Sequence, residues 1–149
     1  MRLAKFAAAW CGGLIAFFGV LYVVATERML ALAELTSLSP TGLTDVRVMY
    51  GALQLAPGLF CLASLKRDAW LEPALGLATI TFAFVPAVRI LGIALDGTAN
   101  VYHLSALCIE LPTCALAAFA WRGIRLAGRS RSNADPGGRS ISAGSRSGS

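Results

Sequence analysis

Four apolar blocks dominate the chain, and short polar or charged segments separate them. The blocks cover residues 6–25, 46–65, 74–95 and 101–121. With a rise of ~1.5 Å per residue, a helix of roughly twenty residues crosses a hydrocarbon layer of ~30 Å. The pattern therefore predicts an all-α protein, an integral membrane four-helix bundle.

Residue types at the block edges indicate where helices begin. Thr44 and Asp45 precede the second block and Asn100 precedes the fourth, and all three are residue types that cap a first helical turn. Residues 26–45 form an outer loop, the longest connection, and the ERMLALAEL stretch in this loop predicts a short interfacial helix. The SPTG sequence at residues 39–42 predicts a turn.

The charge distribution predicts the orientation of the chain in a membrane. Of the 149 residues, 56% are hydrophobic and only 14% are charged, yet the net charge is +5. Most of the basic residues fall on one side of the predicted spans: Arg2, Lys5, Lys66, Arg67, Arg122, Arg125, Arg129, Arg131, Arg139 and Arg146. Because positive residues near span ends stay in the cytoplasm, we expect both termini to be cytoplasmic. Residues 128–149 are rich in Arg, Ser and Gly, so we expect a disordered tail there.

Five polar residues within the predicted spans form a candidate intramembrane polar cluster. Arg47, Tyr50 and Gln54 share a face of the second helix, while Arg89 lies in the third and Glu110 in the fourth. Helical rise places Gln54 and Glu110 at ~13 Å and Arg89 at ~9 Å from the outer boundary, so an ion pair between Arg89 and Glu110 is within reach. Two interpretations stay open: the cluster locks the helices in register, or it lines a small binding cavity or a proton-linked path.

Small residues four positions apart indicate where helices approach one another. Ala9 and Gly13 form such a pair in the first block, and Ala52 and Ala56 form another in the second. Because short side chains let helix backbones come close within a membrane, both pairs are motifs of helix contact. Six glycines likewise allow close approach: Gly12, Gly13, Gly19, Gly51, Gly58 and Gly92.

Other chemistry is sparsely represented in the sequence. His103 is the single histidine, and its position near the outer end of the fourth helix suggests an interfacial residue. The four cysteines lack CxxC spacing, and neither a nucleophile elbow nor a phosphate-binding loop is present. We therefore predict no catalytic residues, no metal site and no cofactor.

Several segments resemble a known family. The stretch LTDVRVMYGALQLAPGLFCLASL at residues 43–65 carries Arg47, Tyr50, Gly51 and Gln54 in an unusual order for an apolar span. Together with TERMLAL, VRILGIALDG and LCIELPTCAL, it resembles the bacterial domain-of-unknown-function family 4345 over residues 6–121. The resemblance implies a small four-helix protein of the bacterial plasma membrane and no established activity. The architecture alone is also similar to the DoxX-like group, some of which associate with redox enzymes.

These observations predict a non-enzymatic multi-pass membrane protein, either a partner subunit or a small lipid- or solute-binding module. One alternative is a small-solute or proton-linked transporter that uses Arg89 and Glu110, and another is a DoxX-like redox accessory protein. The expected partners are the lipid bilayer and a second copy of the chain or another membrane protein. The basic charge is accounted for by orientation, so nucleic acid is not an expected partner.

Overall fold

The described part of the chain is all-helical. The computed structural model describes residues 1–35, 38–97 and 99–134, with side chains to residue 129. Its elements are α1 (Arg2–Val24), α2 (Thr26–Leu32), α3 (Pro40–Val46), a π-helix (Arg47–Ala52), α4 (Leu53–Ala63), two 3-10 helices (Ser64–Lys66 and Asp68–Trp70), α5 (Leu71–Asp96) and α6 (Val101–Ala134). The helix predicted in the outer loop is α2.

Four helical stretches are long and apolar enough to cross a membrane, which confirms the predicted all-α class with four candidate spans. They are Arg2–Val24, Pro40–Lys66, Asp68–Asp96 and Val101–Arg129. Each contains nearly all of the corresponding predicted block. The helices are longer than the blocks because residues that flank an apolar run extend an existing helix without a new nucleation cost.

The second span begins earlier than predicted, so the predicted turn at residues 39–42 is wrong. Ser39 is the N-cap residue, and its hydroxyl oxygen accepts a hydrogen bond from the backbone N–H of Gly42 at 3.2 Å. Pro40 occupies the first turn, where its missing N–H costs nothing. Thr44 and Asp45, the predicted capping residues, therefore lie inside α3.

A π-helix within the second span alters the single face that was predicted for Arg47, Tyr50 and Gln54. Hydrogen bonds in a π-helix run to the fifth residue, so each turn contains more residues than an α-helical turn. Arg47 and Tyr50, both within this segment, consequently make different contacts: Arg47 reaches α2, and the Tyr50 ring packs against the Tyr22 ring of α1. Such π-helical turns are frequent at functional sites, and the hydrophobic pattern of the sequence does not reveal them.

Glycines bring α1 and the second span into backbone contact. A Cβ atom at Gly58 would lie 2.6 Å from the backbone nitrogen of Ala16, and one at Gly19 would lie 2.7 Å from the backbone nitrogen of Leu55. Gly12 is equally close to Gly58, because its Cβ would lie 2.9 Å from the Gly58 carbonyl oxygen. Only residues without a side chain allow two helices to approach this closely.

The predicted small-residue pairs are not the ones in this contact. A Cβ atom at Gly13 would meet nothing within 4 Å, and Ala52 and Ala56 are exposed. Gly13 directly follows Gly12, and one residue of rotation moves a side chain by about 100° around a helix, so the neighbouring glycine faces away from α4.

The other two long helices, α5 and α6, pack side by side and also contact α1. Leu71 and Leu75 at the start of α5 are fully buried with Ala120 of α6. The Trp10 indole N–H of α1 donates to the Thr113 hydroxyl of α6 at 3.2 Å. Helix α1 thus contacts all of the other long helices.

Helix α6 extends into the segment for which a disordered tail was predicted. It continues to Ala134, so residues 128–134 are helical, whereas residues 135–149 lie outside the described residues. Each residue added to an existing helix gains a main-chain hydrogen bond without repeating the nucleation step, which favours extension beyond the apolar block.

Candidate functional site

An ion pair connects helix α5 with helix α6. The Arg89 Nε donates to Glu110 Oε2 at 3.0 Å, and its Nη2 donates to Glu110 Oε1 at 2.6 Å. The planar guanidinium matches both carboxylate oxygens in this two-pronged arrangement. Only 20% of the Arg89 side chain and 12% of the Glu110 side chain are exposed. The pair therefore lies mostly within the packed helices.

His103 is a further hydrogen-bond partner of Arg89. Its Nδ1 atom lies 3.3 Å from Arg89 Nη1. Because a guanidinium only donates hydrogen bonds, this contact requires a histidine whose Nδ1 carries no proton. The backbone N–H of His103 donates to the Asn100 side-chain oxygen at 3.0 Å, as expected if Asn100 caps α6. This cap fixes the first turn of the helix and with it the position of the imidazole.

Three tyrosines surround the same end of the helices. The Tyr102 ring centroid lies 5.9 Å from the Arg89 guanidinium carbon, within range of a cation–π contact. Tyr22 of α1 is close enough to Tyr102 and Arg89 to interact with both electrostatically. The Tyr22 and Tyr50 ring centroids are 5.3 Å apart. The tyrosines thus form a row that joins the π-helix, through α1, to the ion pair.

A cleft of about 260 Å³ opens beside the ion pair. Val85, Val88, Arg89, Gly92, Ile93, Asp96 and His103 line it. Its walls therefore combine aliphatic side chains with a guanidinium, an imidazole and a carboxylate. Of the five guanidinium N–H groups, three are directed to Glu110 and His103, which leaves two for another hydrogen-bond acceptor.

Arg47 lies in a different environment from the ion pair. Its Nε donates to the Thr26 hydroxyl at 3.1 Å, and that hydroxyl donates to the Tyr22 carbonyl at 2.6 Å. Arg47 also lines a second cavity, of about 400 Å³. Gln54 is half-buried and makes no side-chain hydrogen bond within the described part of the chain.

The structure thus divides the five residues of the predicted polar cluster. Arg89 and Glu110 pair directly, and Tyr50 reaches them only through Tyr22 and Tyr102. Arg47 lines the second cavity. Gln54 belongs neither to the ion-pair site nor to the lining of that cavity. The π-helix accounts for much of this separation, because it alters the face on which the three residues of the second span had been placed.

Sequence reasoning missed His103, Tyr102 and Tyr22 as members of this site. For His103 a signal was available: it precedes Glu110 by seven residues, which is two helical turns, so both project from the same face of α6. No comparable signal identifies Tyr22, whose contact depends on how α1 packs against α6.

The comparisons with known proteins identify a family without a known role. Neither a curated protein nor a solved structure matches the chain. The family described as "Domain of unknown function (DUF4345)" matches residues 3–121. The match covers the first three candidate spans almost completely and residues 101–121 of the fourth, and it confirms the resemblance found in the sequence. The chain is therefore a member of the DUF4345 family.

Proposed function

We propose that the protein is a multi-pass protein of the plasma membrane. Large apolar side chains point outward along the long helices: Phe17 is 57% exposed, Phe84 68% and Phe119 70%. In water such a surface would be costly, whereas lipid is a matching solvent for it. The spans are helical, so most of their backbone N–H and C=O groups bond within the same segment, as is required of a membrane-spanning segment.

We further propose that both termini are cytoplasmic. Lys5 pairs with Asp68 at 2.8 Å, and Arg125 pairs with Glu72 at 3.8 Å. These contacts bring the start of α1, the start of α5 and the later part of α6 to one end of the molecule, the Lys/Arg-rich end. Retention of positive residues in the cytoplasm supports this orientation.

Within the membrane the protein acts as a non-enzymatic module that binds a small amphiphilic solute or lipid fragment in the cleft beside Arg89. The observation that carries this proposal is the arrangement of Arg89, which contacts Glu110 and His103 and also lines the cleft. A guanidinium held in place by two partners is pre-organised to donate its remaining hydrogen bonds to a ligand.

The cleft favours a ligand with an acceptor group and a short apolar portion. The acceptor, a carboxylate for example, takes the remaining N–H groups of Arg89. The apolar portion contacts Val85, Val88 and Ile93. The cleft volume of about 260 Å³ lies just below the usual ~300–1,000 Å³ of ligand pockets, so the ligand must be small.

A cleft-filling substitution tests this proposal. Gly92 lines the cleft, and a Cβ atom there would meet nothing within 4 Å, so Gly92→Leu fills the cleft without a backbone clash. Octanoate, a probe with both features, should raise the melting temperature of the detergent-solubilised wild type, because a ligand at 100 times its Kd stabilises a protein by ~2.7 kcal/mol. Octane, which has the apolar portion but no acceptor, should not.

Gly13→Leu is the matched control, because Gly13 also faces open space but lies on α1. Octanoate should stabilise this variant as it does the wild type and should leave Gly92→Leu unchanged. Equal stabilisation of both variants would show that octanoate binds elsewhere.

Proton-linked transport is a second candidate function, favoured by the contact of two titratable residues with one guanidinium. Glu110 and His103 both bind Arg89, so a proton gained by either weakens its hold on Arg89. The test is proton flux in proteoliposomes that contain the wild type or Gly92→Leu. Proton flux that persists unchanged in Gly92→Leu would exclude the cleft beside Arg89 as the proton path.

A further inference from the structure

The second cavity shares no lining residue with the cleft beside Arg89. Its volume is about 400 Å³, and it is lined by Val24, Ala25, Thr26, Glu27, Arg28 and Arg47. We propose that this cavity, here called the Arg28/Arg47 cavity, binds the phosphoethanolamine headgroup of a membrane phospholipid. The inference assumes membrane insertion but is independent of a ligand in the Arg89 cleft.

The charges of the cavity are available to a ligand. Arg28 and Arg47 are both exposed, and within the described residues neither forms an ion pair. Glu27 likewise has no ion-pair partner there. The cavity thus presents two positive charges and one negative charge that the protein leaves uncompensated.

Arg47 is held in a suitable orientation. Its Nε donates to Thr26, a residue that is only 2% exposed and whose hydroxyl is itself bonded to the Tyr22 carbonyl. The Nη1 and Nη2 groups make no hydrogen bond within the described part of the chain. Two guanidinium groups beside one cavity are the side chains best suited to bind the oxygens of a phosphate.

The position of the cavity favours a lipid over a free anion. It adjoins the end of the first candidate span, which terminates at Val24. Val24 is 73% exposed, and Met49 and Leu53 on the neighbouring span are 58% and 59% exposed. A phospholipid can place its phosphate between the arginines while its acyl chains cover such apolar side chains, whereas a free phosphate gains nothing from them.

Glu27 distinguishes between headgroups. Its carboxylate would repel a purely anionic headgroup, but it can accept hydrogen bonds from the primary ammonium of phosphoethanolamine. A choline headgroup also carries a positive charge but has no N–H to donate. The combination of two arginines and one glutamate therefore selects phosphoethanolamine over both phosphoglycerol and phosphocholine.

Native mass spectrometry of the full-length protein tests this inference. The protein is released from micelles that contain equal amounts of dioleoyl phosphatidylethanolamine, phosphatidylglycerol and phosphatidylcholine, and the retained lipids are counted. The wild type should retain mainly phosphatidylethanolamine. Arg28→Gln should lower its occupancy about tenfold, as expected for the loss of a charge-assisted hydrogen bond. The Arg28 side chain makes no hydrogen bond within the described structure, so this variant should fold normally.

Two further variants and one competitor complete the test. Arg122→Gln removes an exposed arginine of α6 at the Lys/Arg-rich end and should leave lipid retention unchanged. Glu27→Gln should abolish the preference for phosphatidylethanolamine over phosphatidylglycerol. Equal retention of the three lipids by the wild type, or normal retention by Arg28→Gln, would overturn the proposal. Displacement of the lipid by an equal concentration of free phosphoethanolamine would overturn the assignment to a lipid. None of these three results bears on octanoate binding beside Arg89.

Discussion

Two helix pairs in this protein are held together in opposite ways. Helix α1 meets α4 through glycines, and the backbones themselves make the contact. Helices α5 and α6 are joined across a largely buried ion pair between Arg89 and Glu110. The first interface has no room for added side-chain atoms, whereas the second combines apolar packing with two charges that stabilise each other.

This difference fits the proposed membrane location, because the hydrophobic drive for helix association is weak in lipid. Lipid tails are as apolar as leucine, so helices associate through close packing or through hydrogen bonds. The glycine contact uses the first means and spreads a small attraction over many atoms. The ion pair uses the second means and concentrates the interaction in two side chains. The two interfaces should therefore respond differently to substitution.

The largest effect is expected from enlarging Gly58. A Cβ atom at this position would lie 2.6 Å from the Ala16 backbone nitrogen, so Gly58→Leu forces the two helices apart. We expect a loss of about 3 kcal/mol or more in the free energy of unfolding, at the upper end of overpacking effects. Reversible unfolding in mixed detergent micelles provides the measurement.

Gly13→Leu serves as the control, because it adds the same side chain to the facing helix at a position with open space. It should be neutral or slightly stabilising, since glycine is a poor helix former. If the two variants unfold alike, the close approach of α1 and α4 does not determine stability.

The next largest effect should come from separating the charges of Arg89 and Glu110. Glu110→Gln leaves the mostly buried Arg89 guanidinium without its carboxylate. Arg89→Gln leaves the Glu110 carboxylate without its guanidinium. Removal of one partner from a buried pair costs about 3–5 kcal/mol, and the partial exposure of this pair favours the lower value. The double variant should recover part of this loss.

A double-mutant cycle in the same micelles measures that recovery. We expect a coupling energy of about 1–3 kcal/mol, as for other residues in direct contact. If both single variants keep the stability of the wild type and show no coupling, the ion pair does not hold α5 and α6 together. The presence of two mostly buried charges would then be explained by ligand binding or transport alone.

The two interfaces also differ in how far the sequence predicted them. The ion pair followed from helix ends and helical rise, because depth alone places Arg89 and Glu110 within reach. The sequence identified Gly12, Gly19 and Gly58 as residues that allow close approach, but it did not separate them from Gly13 and Gly92, since small residues occur on more than one face of a helix. Gly12 and Gly13 are adjacent in sequence, yet only Gly12 meets α4.

The contacts of Arg47 and Tyr22 lay beyond sequence reasoning for a different reason. The site around Arg89 includes Tyr22 because α1 lies against α6, which no local pattern specifies. The π-helix, which directs Arg47 to Thr26, requires a fifth-residue hydrogen-bond register that leaves the hydrophobic pattern unchanged. The number of long helices and the matching levels of Arg89 and Glu110 along them were thus accessible from the sequence, whereas helix rotation and the choice of neighbouring helix were not.

The smallest effect is expected at the Lys/Arg-rich end. The Lys5 Nζ and Asp68 Oδ1 atoms are only 2.8 Å apart, a separation similar to that of Arg89 and Glu110. The Lys5 and Asp68 side chains are 44% and 61% exposed, however, so water and salt screen the attraction. Lys5→Gln and Asp68→Asn should each change the free energy of unfolding by less than about 1 kcal/mol, with a coupling energy near the lower limit for exposed pairs. A coupling as large as that of Arg89 and Glu110 would show that distance, and not burial, sets the strength of ion pairs in this protein.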